Sequence, residues 1–267
     1  MPELPEIETL RRSLATALPG HKLENVRIHR TNLRVPFPDF KPVLGQVLRA
    51  VERRSKYLIL VFDTGRLLIH LGMSGSLTWG VGARRKHDHL ELFFEGIEKP
   101  LRLHDPRRFG SVQYEPVGEL HPSLRRLGPE PLDPTLKKSN FRKLFSKSKV
   151  PIKVALMDPS IIVGVGNIYA TEALFRAHID PRLPANSIAP RRLDILFEHV
   201  KDVLNEGILR GGSTLRDFHG LNGEVGTFAA TVQVYGRAGQ PCPVCGHPLS
   251  SLRQGGRATV YCSTCQN

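Results

Sequence analysis

All four cysteines of this chain lie in its last 26 residues, as Cys242-Pro-Val-Cys245 and Cys262-Ser-Thr-Cys265, with sixteen residues between the pairs. This C-x2-C-x16-C-x2-C spacing constrains the fold more than any other feature. Two tight turns each offer two thiolates, and a hairpin between them brings the pairs into one tetrahedron, which is what a structural zinc ion requires. Gly246 eases the first turn, and Gly255-Gly256 mark the expected hairpin tip. A pair of redox dithiols is the other reading, but a reactive dithiol usually occurs singly near a βαβ unit. Four protein ligands leave no open coordination position. The expected metal is therefore one structural Zn2+ held by Cys242, Cys245, Cys262 and Cys265, stabilising a module too small to bury its own core. Clustering at one end also argues against a disulfide framework for the whole chain.

The preceding 240 residues change character midway. Between residue 21 and about 115 the pattern is β. Candidate strands are Leu23–Arg30, Gln46–Arg53, Tyr57–Phe62, Arg66–Leu71, Leu90–Phe94 and Ser111–Tyr114, short and separated by turn residues. Such spacing predicts a sandwich. Residues 116–135 carry five prolines and read as a linker. Helical periodicity follows at Asn140–Phe145, Ile152–Met157, Asn167–Ala177 and Arg191–Leu209. Asn167, after Gly164-Val-Gly166, reads as an N-cap, and a glycine-rich turn entering a helix is either a phosphate site or a simple interhelical turn. The expected class is α+β: residues 1–115 an N-terminal helix and β-sandwich, 116–135 a linker, 136–230 a helical domain and 231–267 a zinc finger.

A formal charge of +13 and a pI near 10.0 predict attraction to a polyanion. The basic clusters run along the whole chain: Arg11-Arg12, Arg53-Arg54, Arg84-Arg85-Lys86, Arg107-Arg108, Arg125-Arg126, Lys137-Lys138 and Arg191-Arg192. That spread fits a folded surface following a phosphate backbone better than a basic tail. No apolar run is long enough to span a membrane, and no secretory leader is visible, so a cytoplasmic, nucleoid-associated protein is expected.

The chain begins Met-Pro-Glu-Leu-Pro-Glu-Ile-Glu. Ile7, Leu10, Leu14 and Leu18 recur at helical steps, Pro5 suits a first turn, and Glu6 and Glu8 are acids near the helix start. Taken alone, Pro2-Glu3 has two readings. One is a leader into the helix. The other is a nucleophile and acid pair: removal of Met1 leaves a secondary amine, beside a carboxyl group and at the positive end of the helix dipole, which lowers its pKa.

Further blocks accompany this start: RRSKYLIL around Lys56, IHLGMSGSL around Met73, HDPRRFG around Arg108, LMDPSIIVGVGNIYATEALF around Asn167, GGSTLRDF, and VQVYGRAGQPCPVCG with YCSTCQ. Through them the chain resembles the bacterial formamidopyrimidine-DNA glycosylases across nearly its whole length. The resemblance implies a helical C-terminal domain with a helix–two-turn–helix, ending in a β-hairpin zinc finger. It also implies damaged double-stranded DNA as partner, a monomer, and base-excision repair by a combined glycosylase and abasic-site lyase. Pro2 would attack C1′, Glu3 would manage protons at the sugar, and Lys56 would contact the lesion and its phosphate. The base must leave the stack to be reached. Met73, Arg108 and Phe109 match residues that fill the resulting void; His70, Asn167 and Arg257 match phosphate contacts; Lys153 matches a basic residue near the lesion. Many members carry lysine in the lesion-capping loop where this chain has Arg216, and the loop from His219 to Phe228, four of whose residues are Gly or Asn, reads as mobile. His87 and His89 read as surface or packing residues, without a third ligand spaced for a metal. An endonuclease VIII-like enzyme for oxidised pyrimidines is one alternative, though Leu4 with Met73, Arg108 and Phe109 favours the purine branch. A non-catalytic zinc-ribbon DNA-binding protein is the other.

Overall fold

A computed structural model describes residues 2–213 and 220–267. It divides into two compact units, residues 1–125 with 208–229, and residues 126–207 with 230–267. This division differs from the stretches read along the sequence: residues 208–213 and 220–229 group with the N-terminal strands, and the cysteine hairpin groups with the helices.

The first unit opens with helix α1 (Leu4–Ala17), which carries Pro5 in its first turn and buries Ile7, Leu10 and Leu14 along one face. That stripe packs across β2 (Ala50–Arg54) and β3 (Tyr57–Phe62). Two four-stranded antiparallel sheets follow. One has the order β2-β3-β4-β8, where β4 is Gly65–His70 and β8 is Ser111–Pro116. The other has the order β1-β6-β7-β5, from Leu23–Ile28, Asp88–Phe94, Leu101–His104 and Ser76–Trp79. Leu58, Leu60, Leu67, Ile69 and Val112 of the first sheet share a core with Leu77, Leu90, Leu92, Leu101 and Leu103 of the second, and α1 closes it. This is the sandwich expected from short strands separated by turn residues.

All six expected strands form, with β1 and β2 shorter than the sequence pattern suggests. Strands β5 and β7 are additional. Each spans four residues, too few to display a period, and they gain strand character from pairing with each other, Ser76 with His104 through Trp79 with Leu101.

In the second unit the apolar periodicity again becomes helix: α3 (Lys138–Phe145), α4 (Ile152–Leu156), α5 (Asn167–Arg176) and most of α6 (Pro190–Leu209). Part of the proline-rich stretch forms a single helical turn, α2 (Pro122–Arg125), in the first unit. The cysteine hairpin is β9 (Ser250–Gln254) and β10 (Arg257–Tyr261), with Gln254 opposite Arg257. Its two-residue tip places Gly255 at φ 53° and Gly256 at φ 74°. Two consecutive left-handed residues are the turn whose twist matches a hairpin, and glycine adopts them without a side-chain penalty.

Candidate active site and nucleic-acid interface

Pro2 is buried immediately before α1, and Glu3, 3% exposed, is its N-cap. Glu3 and Glu6 form a capping box, in which the Glu3 backbone N–H donates to Glu6 Oε2 at 2.7 Å. The other Glu6 oxygen accepts from Ser213, from its N–H at 2.7 Å and its hydroxyl at 2.9 Å. Glu6 thus fixes the backbone of the Pro2-Glu3 pair to the segment that leads into residue 214. In the sequence Glu6 stands out only as a first-turn acid; its spacing of three from Glu3 is the available signal for more.

Glu8 anchors the same helix to the hairpin carrying Lys56. Its carboxylate accepts from Arg11 at 2.8 Å, Arg12 at 3.0 Å and Arg53 at 3.1 Å. Burial opposes ionisation of Glu8, but the guanidinium groups outweigh it and hold its carboxyl below the ordinary value. Arg53 also donates to the carbonyl of Ser55, which sits at φ 56° in the turn just before Lys56. In the sequence Arg11, Arg12 and Arg53 belong to the basic pairs expected to follow a phosphate backbone. They converge instead on one carboxylate, so part of their charge is neutralised inside the fold.

His70 ends β4 with its ring 4.9 Å from that of Tyr57. Its Nδ1 accepts the Gly72 N–H at 3.1 Å. The remaining hydrogen is then on Nε2, leaving that nitrogen as a neutral donor. Burial, and then the positive charges of Lys56 and Arg34, push its pKa down to about 4. The next residues form a loop with Met73 half-buried, and the loop between β7 and β8 holds Arg108 and Phe109, both exposed. Arg108 adopts φ 57°, and the Arg107 guanidinium lies 5.0 Å from the centre of the Phe109 ring. The two loops touch at Gly72, where an added Cβ would lie 2.4 Å from the Phe109 carbonyl carbon. Met73, Arg108 and Phe109, far apart in sequence, are therefore carried on one pair of interlocked loops.

In the second unit, α5 begins at Asn167 and its N-cap is Gly166, so Asn167 is the first helical residue and not the cap. Its side chain accepts from Lys153 Nζ at 2.6 Å instead of bonding its own helix. Lys153, fully buried, also donates to Ala258 O at 3.0 Å and Thr259 Oγ1 at 2.8 Å. The lysine ties α4 and α5 to strand β10, next to Arg257. A cavity of about 290 Å³ is lined by Lys153, Met157, Gln254 and Arg257. Sequence patterns show none of this, because a lysine at a helical position reads as solvated.

The four cysteine Sγ atoms lie within 4.8 Å of one another. Separations of 3.9 Å (Cys242–Cys265) and 3.4 Å (Cys245–Cys262) bracket the edge of about 3.8 Å that follows from a Zn–S bond near 2.3 Å. Both knuckles close in the same way, with Gly246 N–H on Cys242 O and Gln266 N–H on Cys262 O, each 3.0 Å. The Cys265 N–H also donates to Cys262 Sγ at 3.4 Å, as suits a thiolate. The residues fit a structural Zn2+. Cys242 and Cys262 share a small core with Phe175, Val234, Leu249 and Val260, so α5 completes the packing that the hairpin lacks. Glu172 on the same helix accepts the N–H groups of Gln233, Val234 and Tyr235 at 2.8, 3.0 and 2.8 Å.

Arg216 lies outside the described residues. Of the following loop, Leu221 and Phe228 are buried, and the Trp79 N–H donates to Leu221 O at 3.0 Å. His89 is a packing residue, its Nε2 on Asp105 O at 2.9 Å.

Three sequence families match in chain order. They are the formamidopyrimidine-DNA glycosylase N-terminal domain over residues 1–112, the H2TH domain of the same enzymes over 127–219, and the zinc finger found in FPG and IleRS over 239–267. Formamidopyrimidine-DNA glycosylase of Methylococcus capsulatus is 48% identical over 272 residues, and that of Acidithiobacillus ferrooxidans 47% over 270, each match covering 100% of both chains. The crystal structure of MutM (FPG) from Thermus thermophilus superposes with a TM-score of 0.91 at 38% identity, covering 99% of this chain and 98% of that one. Lactococcus lactis Fpg in complex with abasic-site DNA gives a TM-score of 0.90 at 32% identity, covering 99% of each chain. With the helix-led sandwich, the two-turn helical domain and the cysteine knuckles all matched from end to end, the chain belongs to the formamidopyrimidine-DNA glycosylase family.

Proposed function

We propose that this DNA glycosylase and abasic-site lyase of base-excision repair excises oxidised purines, 8-oxoguanine and formamidopyrimidines, from duplex DNA, with Pro2 as nucleophile. Relatives bound to Fapy-dG and to abasic-site DNA are among its structural neighbours. The observation that carries the reading is the placement of Pro2 beside a buried Glu3 whose backbone is fixed by Glu6 and Ser213.

With Met1 removed, the Pro2 nitrogen uses its lone pair to form a bond to C1′, and the glycosidic C1′–N bond breaks with its electrons leaving on the base. The N–H proton of the attacking amine passes to the departing base, and the nitrogen lone pair then opens the ring as Glu3 delivers a proton to the ring oxygen, giving an iminium between Pro2 and C1′. The iminium acidifies the C2′ hydrogen. Its removal expels the 3′-phosphate by β-elimination, and a second elimination expels the 5′-phosphate, leaving a one-nucleotide gap. Lys56 contacts the lesion and its phosphate. His70, Asn167 and Arg257 hold backbone phosphates and Lys153 lies near the lesion. Met73, Arg108 and Phe109 occupy the space of the extruded base, with Phe109 wedging the stack and the Arg108 donors meeting the orphaned cytosine. Arg216 keeps the positive charge of the capping loop in a larger planar group. The protein acts as a monomer on bacterial cytoplasmic DNA.

Borohydride trapping on duplex DNA containing 8-oxoguanine opposite cytosine tests this. Intact protein should become covalently linked to DNA, whereas protein blocked at its N-terminus should bind without linking. Absence of an adduct from protein shown by mass to begin at Pro2 would refute the nucleophile, and faster excision of oxidised pyrimidines would refute the substrate class.

A further inference from the structure

Asp105 is fully buried and belongs to none of the groups proposed above to touch DNA. Its carboxylate makes two bonds, one to each of the interlocked loops. Oδ1 accepts the hydroxyl of Ser74 at 3.1 Å, and Oδ2 accepts the backbone N–H of Gly110 at 2.8 Å. Ser74 is the neighbour of Met73, and Gly110 is the neighbour of Phe109. The Asp105 carbonyl accepts the Arg108 N–H at 3.3 Å and the His89 ring at 2.9 Å, while its own N–H donates to His87 O at 3.0 Å. The space is closely fitted. A Cβ on Gly110 would lie 2.9 Å from His70 O and 3.0 Å from Asp105 Oδ2.

We infer that Asp105 is a positioning residue that locks the Met73 loop to the Arg108-Phe109 loop, so that the three side chains enter the vacated base position as one preformed wedge. Two loops tied to a single buried carboxylate do not have to be ordered separately when DNA binds. This removes a cost from base extrusion, since immobilising each loop at the moment of binding would oppose it. The Asp105 carbonyl holds the Arg108 N–H at its left-handed turn, so a shift of residue 105 also redirects the guanidinium that meets the opposite base.

This inference rests on the void-filling role proposed for Met73, Arg108 and Phe109, and the experiment separates the two. Excision of 8-oxoguanine opposite cytosine and opposite adenine is measured at single turnover in duplex DNA for Asp105→Ala, Asp105→Asn, Ser74→Ala and Phe109→Ala. Borohydride trapping is measured in parallel on a single-stranded abasic oligonucleotide, which has no stacked base to replace. Asp105→Ala should lose about tenfold or more in duplex excision, as expected for displaced positioning groups, and should show a weaker preference for cytosine over adenine. Its single-strand trapping should match that of the unmodified enzyme. Asn retains an acceptor for Gly110, and its amide can donate to Ser74, so Asp105→Asn should restore most of the duplex rate. Ser74→Ala cuts only one of the two bonds and should fall in between. Equal losses on duplex and single strand for Asp105→Ala would show a general folding role and overturn the inference, as would an unchanged duplex rate and cytosine preference. If Phe109→Ala also excises normally, the void-filling assignment itself falls, and the lock with it.

Discussion

His70 offers a quantitative test of the site's electrostatics. Its pKa falls from the ordinary 6.5 to about 4, first through burial and then through the charges of Lys56 and Arg34, against the weaker pull of Asp105. The folded state therefore resists a proton that the unfolded chain accepts. A histidine with a lowered folded pKa adds stability that is complete above pH 6.5 and is lost as pH falls from 6.5 towards 4. A difference of roughly 2.5 units at 1.36 kcal/mol each bounds the contribution at about 3 kcal/mol. At about pH 5 the same linkage gives a loss of about 2 kcal/mol relative to neutral pH. The perturbation is His70→Gln, which removes the titrating group. Denaturant unfolding of both proteins at neutral pH and at about pH 5 should show the unmodified protein losing about 2 kcal/mol more than the variant. Comparing the two losses cancels other acid-sensitive groups, the zinc thiolates included. An equal loss in both proteins would refute the reasoning, and so would an imidazole proton resonance for His70 titrating near its ordinary midpoint. The same pKa makes the His70 ring a neutral donor at working pH, so changing pH above 6.5 should leave the phosphate contact proposed for it constant.

Other perturbations follow from the same geometry. Chelating zinc should unfold the hairpin and loosen the core it shares with Phe175, seen as a loss of near-ultraviolet dichroism and of DNA binding that returns with added Zn2+. Gly72→Ala places a Cβ 2.4 Å from the Phe109 backbone at φ 65°. It should cost at least about 1–2 kcal/mol from the left-handed conformation alone and lower duplex excision, both measurable on purified protein. Glu172→Ala strips the acceptor from three backbone N–H groups and should cost about 3 kcal/mol or more in urea unfolding, with faster zinc release. Lys153→Met keeps the apolar stem but removes the donor from Asn167, Ala258 and Thr259; a loss of about 2–4 kcal/mol with weakened DNA binding is expected.

Much of the architecture is legible because it rests on local patterns. The α1 stripe of Ile7, Leu10 and Leu14 has a helical period of its own, and the longer strands between residues 23 and 116 can be found within a few residues from the turn residues that bound them. Strands β5 and β7 are too short to show a period and exist through their pairing. Asn167 illustrates a subtler error: asparagine before a helical run reads as a cap, but Lys153 engages its side chain and Gly166 takes the cap position. The basic pairs mislead in a similar way. Helical spacing of three and four already sets Arg11 and Arg12 beside Glu8, but only packing brings Arg53 to the same carboxylate.

The sequence by itself determined the thiolate pattern for zinc, the polyanion-seeking charge and, through its motif blocks, the family. Each is a matter of residue type at short spacing. Only the tertiary structure decided how the site residues are held. Glu6 reaches Ser213, Glu8 reaches Arg53, Lys153 reaches β10, and Asp105 joins two loops. These partners lie up to 207 residues apart. A buried polar group must find a partner wherever the fold brings one near, and no spacing along the chain records which partner that is.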